Sequence, residues 1–285
     1  MVNLVTADYV NSVVAGAGGI SSAMLNNLIT AASVMAQTYC RRQFVPNRWV
    51  EKYDAAPVGY LMLRQTPLLA LNLVTLYPQS ASPLTCTADQ FDIQAGTGRI
   101  SLLPDAATGF PDFWALGAMT DDGFAGFGRG IIQVDYTAGF GFLTVANGAI
   151  AQGFQTVPLS AIGGMAGEGN TLQPWQISAG TTLTVDPGLV TQETITVTSV
   201  TAGTISATFS QPHAGAAQLV GTLLPADLQL GVALMVGNLI NQADLTKSRE
   251  SLGRTVGYEY FVRPGDLVFT PEIKAILGRY RDVLM

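Results

Sequence analysis

Glu193-Thr194-Ile195-Thr196-Val197-Thr198, followed across Ala202-Gly203 by Ile205, Ala207 and Phe209, is a cleanly alternating stretch of the chain. Ile195 and Val197 fall on one face and the three threonines on the other, the period-two pattern of a half-buried strand. Ala202-Gly203 supplies the turn between two such runs. From Phe142 to Thr222 there is no Lys or Arg, and the acids are Glu168, Asp186 and Glu193. That shift in composition marks a separate module, and the alternation predicts a small antiparallel β domain over 144–222.

On the N-terminal side of this module the pattern is mixed. Thr6-Ala-Asp8 ahead of Tyr9, Val10, Val13 and Val14 predicts a short capped helix ended by Gly16, Gly18 and Gly19. Ser21 predicts the cap of a longer helix whose apolar face, Leu25, Leu28, Ile29, Ala32, Met35, Ala36, Tyr39 and Cys40, recurs at helical spacing. That helix is expected to run to about Cys40 and to pack on a sheet. Short strands follow between Arg48 and Tyr77, and again at Gln90–Ile93, Arg99–Leu103 and Ile131–Thr137. This part reads as α+β. Between Phe110 and Gly130 aromatic residues are interleaved with Gly and Asp without a period, which predicts an irregular loop.

After the module, Pro225 and Asp227 open a helix with apolar residues on both faces (Leu228, Leu230, Val232, Leu234, Met235, Val236, Leu239, Ile240), a pattern that predicts burial between other elements. Thr246 to Phe269 reads as an extended polar arm. Thr270-Pro271-Glu272 then starts a last helix with the stripe Ile273, Ile276, Leu277, Tyr280 and Leu284. Seven of the 14 Lys and Arg residues lie in the last 40 positions, so this end is expected to face a different surface from the acidic body.

The chain has 285 residues, 48% hydrophobic and 12% charged, with a net charge of −6. Its length supports one large or two ordinary domains with cores that need no disulfide or metal staple. The longest nearly apolar stretch, Leu228 to Ile240, is too short and too interrupted to span a membrane, and the first basic residue is Arg41, which disfavours a secretory leader. Cys40 and Cys86 match no zinc spacing, and the single histidine, His213, excludes a multi-histidine metal site. An acidic pI near 4.7 argues against gripping nucleic-acid phosphates, though not against surrounding DNA without holding it.

Catalytic signals are sparse. Gly126-Phe-Gly128-Arg-Gly130 precedes a strand and reads as a turn, not a phosphate loop. Ser210-Gln-Pro-His213 pairs a potential nucleophile with a potential base, but without a nucleophile elbow it reads as a turn histidine. Asp112, Asp121 and Asp122 lack the acidic ladder of a calcium loop and read as solvated acids. The loop aromatics Phe110, Phe113, Trp114, Phe124 and Phe127 stand open between core filling and a contact with a ligand or neighbouring subunit. The C-terminal stripe stands equally open between docking on its own domain and docking on a partner. No cofactor or metal is expected.

Taken in order, several stretches resemble the head-to-tail connector (adaptor, head-completion) family of long-tailed bacteriophages. They are Leu4-Val5-Thr6-Ala7-Asp8-Tyr9-Val10, Leu25 to Ser33, Tyr39-Cys40-Arg41-Arg42-Gln43-Phe44, Glu51 to Asp54, Leu61 to Leu68, Ile132 to Phe140, Leu224-Pro225-Ala226-Asp227-Leu228, and Thr270 to Arg281. The resemblance spans 1–143 and 223–285. Where the family pattern has a short connection, this chain carries the β module, whose Leu183-Thr-Val-Asp186-Pro-Gly188, Glu193 to Val197 and Thr208 to Ala214 resemble modules in other phage structural proteins.

The resemblance implies an α+β fold: a helical core with a small antiparallel sheet (1–143 with 223–245), an inserted all-β domain (144–222) and a C-terminal arm ending in a portal-docking helix (246–285). It implies a non-enzymatic virion protein at the head-tail junction, made in the host cytoplasm. Its expected partners are the portal protein, a neck, stopper or tail-terminator protein, and copies of itself in a dodecameric ring. Genomic DNA would pass through the lumen without specific binding, and no membrane is involved. Portal docking is expected from Pro271, Ile273, Ile276, Leu277, Arg279, Tyr280, Arg281 and Leu284, with the apolar stripe buried on the partner and the arginines meeting carboxylates. The alternative from another class is a tail or baseplate protein whose β module binds host glycans. A hydrolase built on Ser210 or on carboxylates is a third, more remote reading.

Overall fold

A computed structural model describes residues 3–54, 60–76, 83–103, 132–166, 172–251 and 268–281. The chain divides into two compact units, Met1–Val45 with Leu224–Met285, and Pro46–Leu223.

The first unit is helical. Helix α1 (Ala7–Val13) is capped by Thr6, whose side chain accepts from the Tyr9 N–H. Helix α2 (Ser22–Cys40) is capped by Ser21, which accepts from Met24, and ends where Arg41 turns left-handed at φ 54°. Helices α3 (Ala226–Ser251) and α4 (Pro271–Gly278) complete it. The buried stripe of α2 (Leu25, Ile29, Ala32, Ala36, Cys40) packs with the buried residues of α3 (Leu228, Val232, Ala233, Met235, Val236) and of α4 (Ile273, Leu277). Two glycines of α3 set how closely its neighbours approach. A Cβ on Gly237 would stand 3.1 Å from Val14, and one on Gly231 would stand 3.1 Å from Ile276. The buried hydroxyl of Ser33 is satisfied twice, donating to the Ile29 carbonyl at 2.7 Å and accepting from the Leu4 N–H at 3.0 Å.

Among its described residues the second unit is β apart from one 3-10 turn, Ala88–Gln90. Strands β1 (Asn47–Tyr53), β3 (Leu68–Leu76), β4 (Leu84–Cys86) and β7 (Ile132–Ala138) form a sheet of order β1-β7-β3-β4. Strands β2 (Leu61–Met62), β5 (Phe91–Gln94) and β6 (Arg99–Leu102) form a smaller sheet of order β2-β6-β5. The two share a core that includes Leu71, Val74, Phe91, Ile100, Val134 and Tyr136. Gly139, at φ 136°, carries the chain out of β7 and into β8 (Gly141–Val145).

Strand β8 joins β12 (Thr182–Val185), β13 (Glu193–Thr196) and β16 (Gln218–Thr222) in the order β13-β12-β16-β8. A three-stranded sheet, β14-β15-β9, is built from β9 (Gly153–Pro158), β14 (Ser199–Thr201) and β15 (Thr204–Phe209), and β10 (Gly163–Ala166) pairs with β11 (Gln173–Gln176). The alternation is realised in register: Leu183 faces Ile195, and Ile205 faces Val157, all buried in one core with Phe209 and Leu219.

These sheets overturn the expected helical-core α+β fold. Among the described residues the chain is mostly β, with sixteen strands in five antiparallel sheets and four α-helices. Helices of 19 and 26 residues carry a long periodic signal, whereas a strand such as the three-residue β4 carries almost none, so the number of strands is underread. Within its own unit, the stripe of α2 packs on α3 and α4. Helix α3 runs to Ser251, past the point where an extended arm was expected, through residues such as Lys247, Arg249 and Glu250 that propagate helix well. The aromatic loop with Gly126–Gly130 and the three loop aspartates, most of the expected arm, and Leu284 lie outside the described residues.

Gly221 of β16 tests the packing. A Cβ there would run into the ring of Phe142, which stacks on Trp175 with centroids 4.3 Å apart and planes 6° from parallel. Gly221→Ala is expected to displace this stack and cost about 1–3 kcal/mol, the usual penalty of overpacking, read as a lower denaturation midpoint with altered tryptophan emission.

Candidate functional site

Two places in the structure gather chemistry-bearing side chains, one in each unit. The first is helix α4 and the residues just after it, which hold all but Leu284 of the residues expected to dock on a portal. Thr270 caps it, Pro271 occupies the first turn, and Glu272 suits the positive helix end. Ile273 and Leu277 are buried in the chain's own helical unit, and Ile276 rests over Gly231. The Cys40 thiol donates to the Leu277 carbonyl at 3.4 Å; burial pushes that thiol up to about 11, so it stays protonated and inert near neutrality.

Beyond α4, the Tyr280 hydroxyl donates to Asp227 Oδ1 at 2.5 Å and its ring meets Phe44 edge-on. Burial, with the bond to Asp227, raises this phenol above its ordinary range. Arg279 reaches Asp227 Oδ2 at 3.4 Å in an exposed, well-screened pair, and Arg281 lies over the Tyr39 ring at 5.6 Å. Ile273, Leu277 and Tyr280 therefore make intramolecular contacts, while Pro271, Arg279 and Arg281 remain exposed.

The second place is a chain of polar side chains inside the β unit. Arg48 of β1 pairs bidentately with Asp135 of β7, Nε donating at 2.6 Å and Nη2 to the other oxygen. Asn72 of β3 donates to Asp135 at 3.0 Å and accepts from Gln218 Nε2 at 2.6 Å. The Thr137 hydroxyl donates to Gln218 Oε1 at 2.9 Å. Gln218 opens β16, and its backbone exchanges bonds with Asp186, accepting from the Asp186 N–H and donating to Oδ1. Asp186 then meets His213, and His213 meets Glu193.

A cleft of about 290 Å³ opens beside this chain, with Arg48, Asn72, Asp186, Thr191 and Gln218 in its wall. Asn72 and Gln218 already spend their amide groups on each other and on Asp135 and Thr137, so that wall is largely self-satisfied.

Ser210 and His213 do stand in one turn, but not as nucleophile and base. Both imidazole nitrogens are engaged by carboxylates, and Ser210 bonds Glu193 through its backbone N–H at 2.7 Å and also through its hydroxyl. No ring nitrogen is left to take a proton from a serine, the contact on which such catalysis depends. The two carboxylates sit on opposite edges of the ring and do not converge. Among the described residues no group of three or more His, Cys, Asp or Glu is arranged to hold a metal.

A third buried polar group is structural. The phenols of Tyr53 and Tyr136 both donate to Glu51 Oε2, at 2.5 and 2.7 Å, and accept the N–H groups of Arg64 and Gln65. Burial, then the bond to Glu51, pushes Tyr53 up to about 12, and burial raises Tyr136 further. Both are locked as donors.

Sequence reasoning flagged His213 but not its partners. Asp186 and Glu193 lie 27 and 20 residues away from it, joined by strand topology rather than by a motif. The available signal was compositional: a module without Lys or Arg that places its one histidine among three acids.

Gly231→Leu is expected to force Ile276 and α4 off the helical unit. Amide exchange across 271–278 should accelerate by an order of magnitude or more, with exchange in β12 to β16 unchanged.

Among the described residues no helix is long and apolar enough to cross a membrane. No protein-family model matches this sequence, and no curated protein matches it.

Proposed function

We propose that the chain is a structural virion protein of the head-to-tail connector class, a subunit of a ring beneath the portal that extends the DNA channel towards the neck and tail. The observation that carries this reading is the order of connector-like stretches along the chain. Those nearest the two ends, Leu4–Val10, Leu25–Phe44, Leu224–Leu228 and Thr270–Arg281, are far apart in sequence yet fall in one compact unit.

A cyclic ring needs a heterologous interface, so each subunit presents two different faces to its neighbours. A surface with few charges suits such contacts, because charged residues are depleted from interface cores. A net charge of −6 with a basic excess confined to the C-terminal end supports a lumen that lets DNA slide instead of gripping it. The exposed Arg279 and Arg281, just beyond a helix whose apolar side is already packed, are the cations open to carboxylates of a portal. The β module, free of Lys and Arg, is an outward decoration or a contact for a neck or tail protein.

Immunogold labelling of intact particles with antibody against 144–222 tests the reading. Label at the head-tail junction is the expected result. Label at the tail tip overturns it in favour of a glycan-binding adhesin, and unlabelled particles from which the chain is missing overturn both. The assembled ring is further expected to retain duplex DNA weakly at physiological salt; tight retention that falls steeply with salt contradicts the sliding channel.

A further inference from the structure

His213 is the single histidine of the chain, and its side chain has 0% exposure. Nδ1 lies 2.8 Å from Asp186 Oδ2, and Nε2 lies 2.7 Å from Glu193 Oε1. An ionised carboxylate only accepts, and a neutral imidazole has one donor. Two such bonds therefore need either the imidazolium or a protonated carboxyl.

The remaining contacts of the two carboxylates decide between them. Glu193 Oε2 accepts the Ser210 N–H at 2.7 Å. Asp186 accepts the Gln218 N–H on Oδ1 at 3.3 Å and the Thr191 hydroxyl on Oδ2 at 3.1 Å. Both carboxylates thus accept further bonds from N–H and O–H donors, the surroundings of acceptor-only groups. The proton belongs to the ring.

The surroundings contain few other charges. Asp186 follows β12 and Glu193 opens β13. From β1, Arg48 adds a positive charge near Asp186, itself committed to Asp135. The segment around Ile150, whose backbone pairs with His213 in both directions, and Phe209 of β15, whose ring meets the imidazole edge-on at 5.9 Å, bring no ionisable side chain. Because 142–222 lacks Lys and Arg, protonated His213 is the one cationic side chain that stretch can supply.

That cation joins three separate segments. Asp186 sits in the left-handed region at φ 48° and starts a tight loop, closed by the Leu189 N–H on the Asp186 carbonyl and by the Gly188 N–H on Gln192 Oε1 at 2.6 Å. The loop holds Leu189 and Val190 out in solvent, Val190 at 99% exposure. Glu193 anchors the strand that leaves the loop, and His213 anchors the 210–217 connection opposite. We propose that protonated His213 is a proton-operated latch of the β module, fixing the Asp186–Gln192 loop and its apolar tip against the 210–217 connection and releasing them when the ring loses its proton.

The direction of the pH dependence follows from the two titrations. Burial lowers the imidazole value, but the bonds to Glu193 and Asp186 and their charges outweigh it, so the folded value lies above the ordinary 6.5. Its contribution is complete below 6.5 and is lost as pH rises through the raised value. Burial raises Glu193, but the bonds from His213, Ser210 and Gln211 hold it below the ordinary 4.5. That contribution is complete above 4.5 and is lost as pH falls through the lowered value. The latch is fully closed between these limits and opens on the alkaline side through His213 alone.

The test uses the full chain labelled with ¹⁵N-histidine, where every imidazole signal belongs to His213. The expected result is an imidazolium with two bonded protons at pH 6.5 and a deprotonation midpoint above 6.5. Amide exchange across 186–192 and 210–217, corrected for the intrinsic pH effect, should rise through the same midpoint. A neutral tautomer at pH 6.5, a midpoint at or below 6.5, or loop protection that ignores the titration overturns the proposal. Glu193→Gln should move the midpoint downward, and an unmoved midpoint overturns the charge coupling. This outcome is independent of where the protein sits in a particle.

Discussion

The β unit is held in register by one continuous run of hydrogen-bonded residues, Arg48–Asp135–Asn72–Gln218–Asp186–His213–Glu193, that crosses from the β1-β7-β3-β4 sheet to the β13-β12-β16-β8 sheet. Two neutral amides, Asn72 and Gln218, bridge its middle and separate Asp135 from Asp186. Arg48 pairs with Asp135, and Asp186 and Glu193 share His213, so the desolvation cost of burying the acids is partly offset locally. Gln218 is the junction: its amide reaches Asn72 and Thr137 in one sheet, while its backbone serves Asp186 in the other. A Glu at this position would set a third carboxylate between two others, and an aliphatic residue would strand the Asn72 carbonyl.

The same arrangement explains why chemistry-bearing residues here do no catalysis of the serine–histidine kind. An imidazole that donates from both nitrogens is a cation holding its neighbours, not a base awaiting a proton. The two phenols fixed on Glu51 and the buried Cys40 thiol are likewise spent on their neighbours, each held protonated near neutrality by its surroundings.

Much of the local structure was legible in the sequence. Thr6, Ser21 and Thr270 were recognisable as caps because a capping side chain acts on backbone three residues ahead. The stripes of α2 and α3 span enough turns for a helical period to emerge, and the Thr/Ile alternation of β13 resolves into inward Ile195 and outward threonines. The balance of the fold was not legible. A three-residue strand such as β4 exists because β3 hydrogen-bonds it, and no local pattern reports that partner.

By itself, then, the amino-acid sequence determined what depends on neighbours within a turn or two: helix starts, apolar stripes, strand alternation, and a module that has acids and a histidine but no Lys or Arg. Tertiary structure alone decided that α2 is buried by helices α3 and α4, that Ile273 and Leu277 pack within their own unit, and that Asp186 and Glu193 close on opposite edges of one imidazole. Those outcomes require segments tens to hundreds of residues apart to meet, and the free energy that brings them together is a property of the packed whole, not of any window of the chain.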